Sequence, residues 1–212
     1  MGIHTYKKSN IVKSTGGFTI VELMIATSVF SFVLLVASTG VVAIGRLYYK
    51  GITSSKTQEA ARSIIEDVSR ARQFTGGNFS SGGSPGGLQS FCFGQDRYTY
   101  QINNRVTDDT TVGIRHDVNT DVGNCDPIAS GGTELLDKNM RLLNFTVSSV
   151  GGGQFSINVR VAYGENDLLS TYDNSGVPNG QPPSSGECKS GIAGSNFCAV
   201  SELATVVDKR IE

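Results

Sequence analysis

The longest uninterrupted apolar segment lies close to the start of the chain. From Phe18 to Ile44 the sequence runs for 27 residues with a single ionisable side chain, Glu22. As an α-helix this segment would extend about 40 Å, whereas the hydrocarbon core of a bilayer is about 30 Å thick. We therefore expect it to enter or cross a membrane. A carboxylate there is unfavourable by roughly 2 to 3 kcal/mol unless it has a partner, so Glu22 is a candidate functional residue.

The pattern after this segment is that of an amphipathic helix. Apolar residues recur at the i, i+3, i+4, i+7 spacing of one buried face; they are Ala61, Ile64, Ile65, Val68 and Ala71. We expect the helix to continue from Tyr48 to about Phe74. The glycines at 76–77 and the Ser- and Gly-rich segment 80–87 should end it, because such residues favour turns. Three glycines mark places where the helix can bend: Gly40, Gly45 and Gly51.

Beyond residue 87 the pattern changes to that of strands. Four segments are rich in β-branched and aromatic residues and alternate apolar with polar positions; they are 98–102, 112–116, 142–150 and 154–163. The last two form the clearest predicted hairpin. A short helix is expected at 134–139, a long surface loop at 164–198, and a last helix or strand at 199–211.

Together these elements predict an α+β fold. An antiparallel β-sheet should pack on the C-terminal half of the long N-terminal helix. The soluble part, about 140 residues, is long enough to form a single hydrophobic core.

A short basic leader precedes the apolar segment and ends in two glycines. Its three lysines are Lys7, Lys8 and Lys13. Gly16 and Gly17 stand directly before Phe18, and Glu22 is the fifth residue counted from Phe18. This arrangement resembles the class III signal of type IV prepilins and pseudopilins. The resemblance covers residues 1 to about 74 and implies a pilin-like fold of the kind predicted above.

The resemblance implies a processing reaction and an assembly contact. Prepilin peptidase would cut after Gly17 on the cytoplasmic side and methylate the new N-terminal residue, Phe18. Glycine suits the cut, because a residue without Cβ lets an extended backbone enter a narrow protease cleft. In an assembled filament the Glu22 carboxylate of one subunit would pair with the Phe18 α-amine of a neighbour.

The same resemblance implies an organisation and a location. The predicted parts are a leader peptide at 1–17, a transmembrane and filament-core helix at 18–47, an amphipathic helix at 48–75 and a β-rich globular domain at 76–212. The precursor would be a single-pass protein of the inner membrane, and the mature subunit would lie in an extracellular pilus or a periplasmic pseudopilus. The expected partners are prepilin peptidase, other pilin subunits, the inner-membrane assembly platform and, before assembly, membrane lipid.

Two other interpretations of the N-terminus remain open. An ordinary signal peptide also has a basic start and an apolar stretch, but it would be cut after that stretch, near 36–38. An ordinary signal anchor requires neither the glycine pair nor an acidic residue in the apolar segment. Glu22 argues against both. Basic residues flank the segment equally on its two sides, so charge does not fix the topology.

The charge balance predicts no nucleic-acid partner. The leader holds three of the 18 basic residues and none of the 19 acidic ones, so the processed chain has 15 basic against 19 acidic residues, a net charge of −4. Nonspecific DNA binding would need a basic stripe. Arg62, Arg70 and Arg72 lie close together in sequence, but on a helix they are better interpreted as a solvated face.

Four cysteines in a chain with an export signal indicate two disulfides made in an oxidising compartment. Three pairings are possible. We favour Cys92 with Cys125 and Cys188 with Cys198, because near neighbours close at the least entropic cost. The resemblance supports the second bridge loosely, since many pilins close a C-terminal loop with a disulfide.

Signals for catalysis and metal binding are weak. His116 is the only histidine outside the leader, and no nucleophile motif accompanies it, so we expect no enzymatic activity and no cofactor. Asp117, Asn119 and Asp121 place oxygen atoms at alternate positions, as at the start of a calcium loop. The sequence lacks the glycine and the bidentate glutamate of an EF-hand at the required positions, so a metal-free turn is favoured.

We expect a structural subunit whose chemistry is assembly. Small residues on its apolar helix would let neighbouring helices approach closely; they are Ala26, Ser28, Ala37 and Gly40. The size and loops of the soluble part favour a minor pilin, which primes or caps a filament. The alternatives are a minor pseudopilin of a type II secretion system and a tip-located adhesin whose loop at 164–198 contacts a surface or host ligand.

Overall fold

A single long helix is the first element of the fold. The computed structural model describes residues 17–75, 77–84, 87–119, 123–169 and 186–210. The chain divides into two compact units, Met1–Gly45 and Arg46–Glu212. Helix α1 (Ile20–Phe74) contributes to both, and its end agrees with the sequence prediction.

In the first unit the described residues form an exposed apolar helix. Every residue from 17 to 44 is exposed. The glycines of α1 do not interrupt it, and a Cβ added at Gly40 or Gly45 would meet no described atom within 4 Å. This part of the chain therefore has no core of its own among the described residues.

The second unit contains two antiparallel sheets. The five-stranded sheet has its strands in chain order: β1 (Phe79–Gly83), β2 (Gln89–Phe93), β3 (Asp96–Tyr100), β4 (Ile114–Val118) and β5 (Thr133–Glu134). The three-stranded sheet consists of β6 (Met140–Gly151), β7 (Gln154–Tyr163) and β8 (Ala199–Val207), with β7 in the centre. Isolated bridges between Ile102 and Leu142 and between Arg105 and Arg141 join the loop after β3 to β6.

One apolar core joins the C-terminal part of α1 to both sheets. The helix contributes Ala61, Ile64 and Val68, each 0 % exposed. Strand β7 buries every second side chain, as expected for a strand with one face on a core; these are Phe155, Ile157, Val159 and Val161. A smaller, separate cluster consists of Leu143, Ala162, Leu168, Leu169 and Cys198.

Aromatic residues of the five-stranded sheet contact aromatic residues of the three-stranded sheet. Phe91 stacks on Tyr98 with ring centroids 4.8 Å apart, and it also contacts Phe145 of β6 at 5.2 Å. Phe79 lies 5.2 Å from Phe155 of β7. These contacts connect the two sheets across the core, and aromatic pairs of this kind add about 1 kcal/mol to simple burial.

The structure confirms the α+β fold and the predicted hairpin. Strand β7 has the predicted bounds, and β6 includes the predicted segment 142–150. The segment from 199 onward forms a strand, β8, rather than a helix. Strand β3 begins at Asp96, two residues earlier than predicted. Strand β4 begins at Ile114, two residues later than predicted.

Two predictions about local structure are wrong. No helix forms at 134–139, because the Glu134 carboxylate accepts hydrogen bonds from the N–H groups of Gly113 at 3.0 Å and Ile114 at 2.8 Å, which holds it against the sheet. Residues 80–83, predicted as loop, belong to β1, which pairs with the unpredicted strand β2. Backbone pairing with β2 gives this glycine-rich segment its strand conformation.

Part of the predicted loop at 164–198 is ordered, and part lies outside the described residues. Residues 170–185 are not among those described. One short 3-10 helix precedes them, Asn166–Leu168, and another follows them, Ser195–Phe197. An antiparallel bridge between Leu169 and Cys188 joins the two sides.

The predicted solvated face of arginines is only partly correct. Arg62 and Arg70 are exposed, but Arg72 is buried, with 7 % exposure. Arg72 follows Val68 by four residues and so lies on the core face of α1. Its guanidinium donates to the Gly153 carbonyl at 2.7 Å and lies 4.6 Å from the centre of the Phe155 ring.

Candidate functional site

The predicted cleavage site precedes the first turn of α1. Residues 17–19 have no helical structure, and the helix begins at Ile20. Phe18 is 80 % exposed, and a Cβ added at Gly17 would meet no described atom within 4 Å. The peptide bond between Gly17 and Phe18 therefore lies in exposed, non-helical backbone, which a protease cleft can accept.

Glu22 forms a capping box with Thr19 at the start of α1. The Glu22 carboxylate accepts hydrogen bonds from the Thr19 N–H at 3.0 Å and from the Thr19 hydroxyl at 2.9 Å. In return the Glu22 N–H donates to Thr19 Oγ1 at 3.2 Å. The spacing Thr-x-x-Glu is the sequence signal for this cap, and the sequence analysis missed it. Both residues follow the predicted cut, so the cap would be kept in the processed chain.

The polar side chains of the apolar segment bond within their own helix. Hydroxyl groups donate to carbonyl oxygens three or four residues earlier, and an unpaired hydroxyl would be unfavourable in a bilayer; they belong to Thr27, Ser28, Ser31, Ser38 and Thr39. Within the described residues, α1 is the one helix long and apolar enough to cross a membrane, and its most apolar 18-residue stretch has a mean hydropathy of 2.4.

The comparison with protein families identifies this segment. Residues 12–38 match the family model described as the prokaryotic N-terminal methylation motif. The chain carries the class III signal of type IV pilins. This signal supports a pilin-like or pseudopilin-like subunit, and it implies processing by prepilin peptidase and assembly with other pilins. With the apolar helix, it is consistent with a membrane-anchored precursor. No curated protein and no solved structure gave a significant match.

The cysteines form two disulfides, with the pairing that the sequence analysis favoured. Cys92 of β2 is bonded to Cys125 in the loop after β4, and Cys188 is bonded to Cys198, directly before β8. Cys92 and Cys198 are buried, with 2 % and 3 % exposure. The second disulfide closes a short loop, and its Cys198 belongs to the small apolar cluster.

The weak metal candidates do not form a cluster of ligands in the described part of the chain. Asp117 of β4 forms an ion pair with Arg97 of β3, with 2.6 Å between Oδ2 and Nη2. The Asn119 amide donates to the Asn124 carbonyl at 2.5 Å. Asp121 lies outside the described residues. No group of three or more His, Cys, Asp or Glu side chains suited to a metal occurs among the described residues.

His116 lies between two carboxylates and connects α1 to the sheet. Its Nδ1 is 3.1 Å from Asp67 Oδ2 on the helix, and its Nε2 is 3.1 Å from Asp96 Oδ1 on β3. The ring stacks on Tyr98 at 4.6 Å, and the Tyr98 hydroxyl donates to Asp67 at 2.9 Å. The hydrogen bond to Asp67 raises the pKa of His116 against the opposing effect of burial, and Asp96 adds to the rise.

The contacts in this cluster also shift the pKa values of Asp67 and Tyr98. The hydrogen bond from His116 lowers the pKa of Asp67, although partial burial opposes this. Burial, with the adjacent Asp67 charge, raises the pKa of Tyr98, which stays a neutral donor. The geometry is that of an ion cluster that fastens the helix to β3 and β4.

Proposed function

We propose that the chain is a type IV pilin-like structural subunit, a minor pilin, whose function is assembly and not catalysis. Prepilin peptidase cuts it after Gly17 and methylates Phe18, and the N-terminal helix then enters an extracellular filament. The observation that carries the proposal is the class III signal at 12–38 on an exposed apolar helix.

The exposed apolar part of α1 supports a role in assembly, because its surface is stable only in an apolar environment. Large apolar side chains from Phe18 to Leu47 are between 49 % and 80 % exposed. Such a continuous apolar surface is typical of membrane or protein contacts. Lipid covers it in the precursor, and the helices of other subunits cover it in the filament.

The minor-pilin assignment rests on the soluble part. Two sheets, two disulfides and a disulfide-closed C-terminal loop make a more elaborate domain than a simple repeating subunit requires. A minor pseudopilin of a type II secretion system would carry the same signal. Neighbouring genes separate the two: a retraction ATPase and pilus assembly genes support the pilus, and secretion genes support the pseudopilus.

Mass spectrometry of the protein in sheared filaments tests both parts of the proposal. We expect the mature chain to begin with N-methylated Phe18 and to be a small fraction of the total pilin. A start near Thr39 would indicate an ordinary signal peptide. If this chain dominates the filament, the minor-pilin assignment is wrong.

Replacement of Gly17 tests the processing step in cells. Gly17→Leu adds a bulky side chain at the cut, so we expect the uncut precursor to accumulate in the membrane. Gly16→Ala is the matched control, because it changes the neighbouring glycine and leaves Gly17 in place. Immunoblots that separate precursor from mature chain report the result. Normal cleavage of Gly17→Leu would contradict the proposed cut.

A further inference from the structure

Aromatic and aliphatic side chains are exposed together at the first turns of the second unit. Tyr48 and Tyr49 of α1 are 67 % and 53 % exposed. Phe197 and Ile192, from the loop closed by Cys188 and Cys198, are 47 % and 39 % exposed. The Phe197 ring lies 5.5 Å from the Tyr49 ring. We call these four residues the basal aromatic surface.

The loop that carries Phe197 and Ile192 is held firmly in place. Cys198 is buried in the small apolar cluster and bonded to Cys188. The Phe197 N–H donates to the Gly194 carbonyl at 2.8 Å, which closes the 3-10 turn. The Thr53 hydroxyl of α1 is 3.5 Å from the Asn196 carbonyl. A disulfide and a contact with α1 therefore hold the backbone next to Phe197, and they hold it with the Phe197 side chain exposed.

Basic residues accompany this surface. Lys50 follows Tyr49 in α1, and it lines an open cavity of about 520 Å³ together with Lys189, Ser54 and Ser190. Glu187 lines the same cavity. Among the described residues, neither lysine has a carboxylate oxygen within 4 Å of its ammonium group. The open cavity gives an anionic group from outside the domain access to both lysines.

Chain connectivity brings the surface to the end of the apolar segment. The residues from Phe18 to Tyr48 would extend about 45 Å as a helix, and a bilayer with its headgroups is about 40–45 Å thick. Tyr48 and Tyr49 therefore reach the headgroup region in a precursor inserted from Phe18. Tyrosine is enriched at that depth, and nearby lysines attract anionic lipid.

We propose that the basal aromatic surface, with Lys50 and Lys189, docks on the anionic phospholipid headgroups of the membrane that anchors the precursor. This inference rests on the proposed membrane residence of the subunit. Phe197 and Ile192 enter the interface beside Tyr48 and Tyr49, and the lysines contact phosphate groups. The soluble domain is then held against the bilayer until the subunit is assembled.

Lipid quenching of a single tryptophan tests this docking, because the chain has no tryptophan of its own. The full chain is reconstituted in vesicles of phosphatidylcholine and phosphatidylglycerol with brominated acyl chains. Phe197→Trp is the reporter, and Ile192→Trp is a second one in case the first perturbs the loop. Tyr48→Trp reports insertion. Val150→Trp is the remote control, since its hairpin contacts α1 at Arg72, roughly 35 Å along the helix from Tyr49.

We expect Phe197→Trp and Ile192→Trp to lose fluorescence nearly as much as Tyr48→Trp, while Val150→Trp keeps its fluorescence. If Tyr48→Trp is quenched and both loop reporters behave like Val150→Trp, the docking proposal is wrong. If Tyr48→Trp is unquenched and the protein does not float with vesicles, the membrane residence itself fails. A loop reporter that resists quenching but shifts its emission with the protein-to-lipid ratio would assign the surface to a second copy of the chain.

The lysines are tested in the same Phe197→Trp background. Lys50→Gln with Lys189→Gln should reduce the quenching in vesicles that contain phosphatidylglycerol, and should leave it unchanged in pure phosphatidylcholine. Equal quenching with and without the lysines in anionic vesicles would overturn their assignment as headgroup contacts.

Discussion

Glu22 forms a helix cap in the structure, and the proposed function gives it a second contact, an ion pair within a filament. Thr19 supplies the cap within one subunit. The proposed second partner is the Phe18 α-amine of a neighbour, whose burial without a counter-charge would be unfavourable. Glutamine can replace glutamate in a capping box, but it carries no charge. The two roles of Glu22 can therefore be separated by substitution.

Substitutions at Glu22 and Thr19 should have different effects on assembly. We expect Glu22→Gln and Glu22→Ala to be processed and to stay in the membrane, and to be lost from sheared filaments. Thr19→Ala removes the hydroxyl of the cap, worth about 1 kcal/mol, but keeps the charge of Glu22, so we expect it to enter filaments. Immunoblots of membrane and sheared fractions measure this. Wild-type incorporation of Glu22→Gln would refute the pairing role.

Among the elements, the end of α1 and the β6–β7 hairpin are joined by one buried side chain. Arg72 donates to Gly153 in the turn and lies over Phe155. Arg62, in the same helix, forms an exposed i,i+4 pair with Glu66, in which the arginine side chain is 76 % exposed. Buried charge-assisted hydrogen bonds and cation–π contacts contribute more than exposed helical ion pairs.

Replacement of these two arginines should therefore have unequal effects. We expect Arg72→Ala to lower the free energy of unfolding by about 2–3 kcal/mol, because it leaves the Gly153 carbonyl without its donor and removes the contact with Phe155. Arg62→Ala, the matched control, should lower it far less, because its ion pair with Glu66 is exposed and screened by solvent. Urea unfolding of the full chain in detergent gives both values. Equal losses would show that the Arg72 contacts add nothing.

The elements that sequence patterns predicted are those with a regular period and a local reason to form. The core face of α1 and the alternation in β7 were both visible in the sequence. Strand β1 was not, because Ser80 to Gly83 have weak strand preferences and acquire their structure by pairing with β2. The position of Glu134 depends on the N–H groups of Gly113 and Ile114, which are about twenty residues away.

The parts of the candidate site that could be predicted are those whose residues lie close together in the sequence. The class III signal and Glu22 lie in one short segment, and the bridge between Cys188 and Cys198 closes a short loop. The contact of His116 with Asp67 was not predictable, because it joins residues 49 positions apart across the helix and the sheet. The same holds for Phe197 and Tyr49, which meet only in the folded domain.

For the molecule as a whole, the His116 cluster makes the stability of the second unit depend on pH. The groups that face the imidazole are Asp67 on α1 and Asp96 and Tyr98 on β3, and the charge of Arg70 acts on Asp67 and Tyr98. A raised His116 pKa gives stabilisation that is complete below about pH 6.5, its unfolded value, and that is lost as pH rises through the folded value. The lowered Asp67 pKa gives stabilisation that is lost in acid.

We therefore expect maximal stability in mildly acidic solution and a decline above about pH 6.5. The decline should be about 1 kcal/mol, or ~2–4 °C in Tm for a domain of this size. Thermal unfolding of the full chain in detergent between pH 5 and 8 measures it. His116→Gln should be less stable at pH 5.5 and should lack the decline. An unchanged pH profile in that variant would exclude His116 as its source.

The glycines of α1 give this helix a mechanical property. Gly40, Gly45 and Gly51 each leave open space where a Cβ would stand, so no packing among the described residues requires them. Each is less favourable in a helix than alanine by about 1 kcal/mol. A helical residue advances the chain by about 1.5 Å and an extended one by about 3.3 Å. Under tension along its axis we therefore expect α1 to lengthen first between residues 40 and 51, where a few unwound residues would absorb several ångströms of extension.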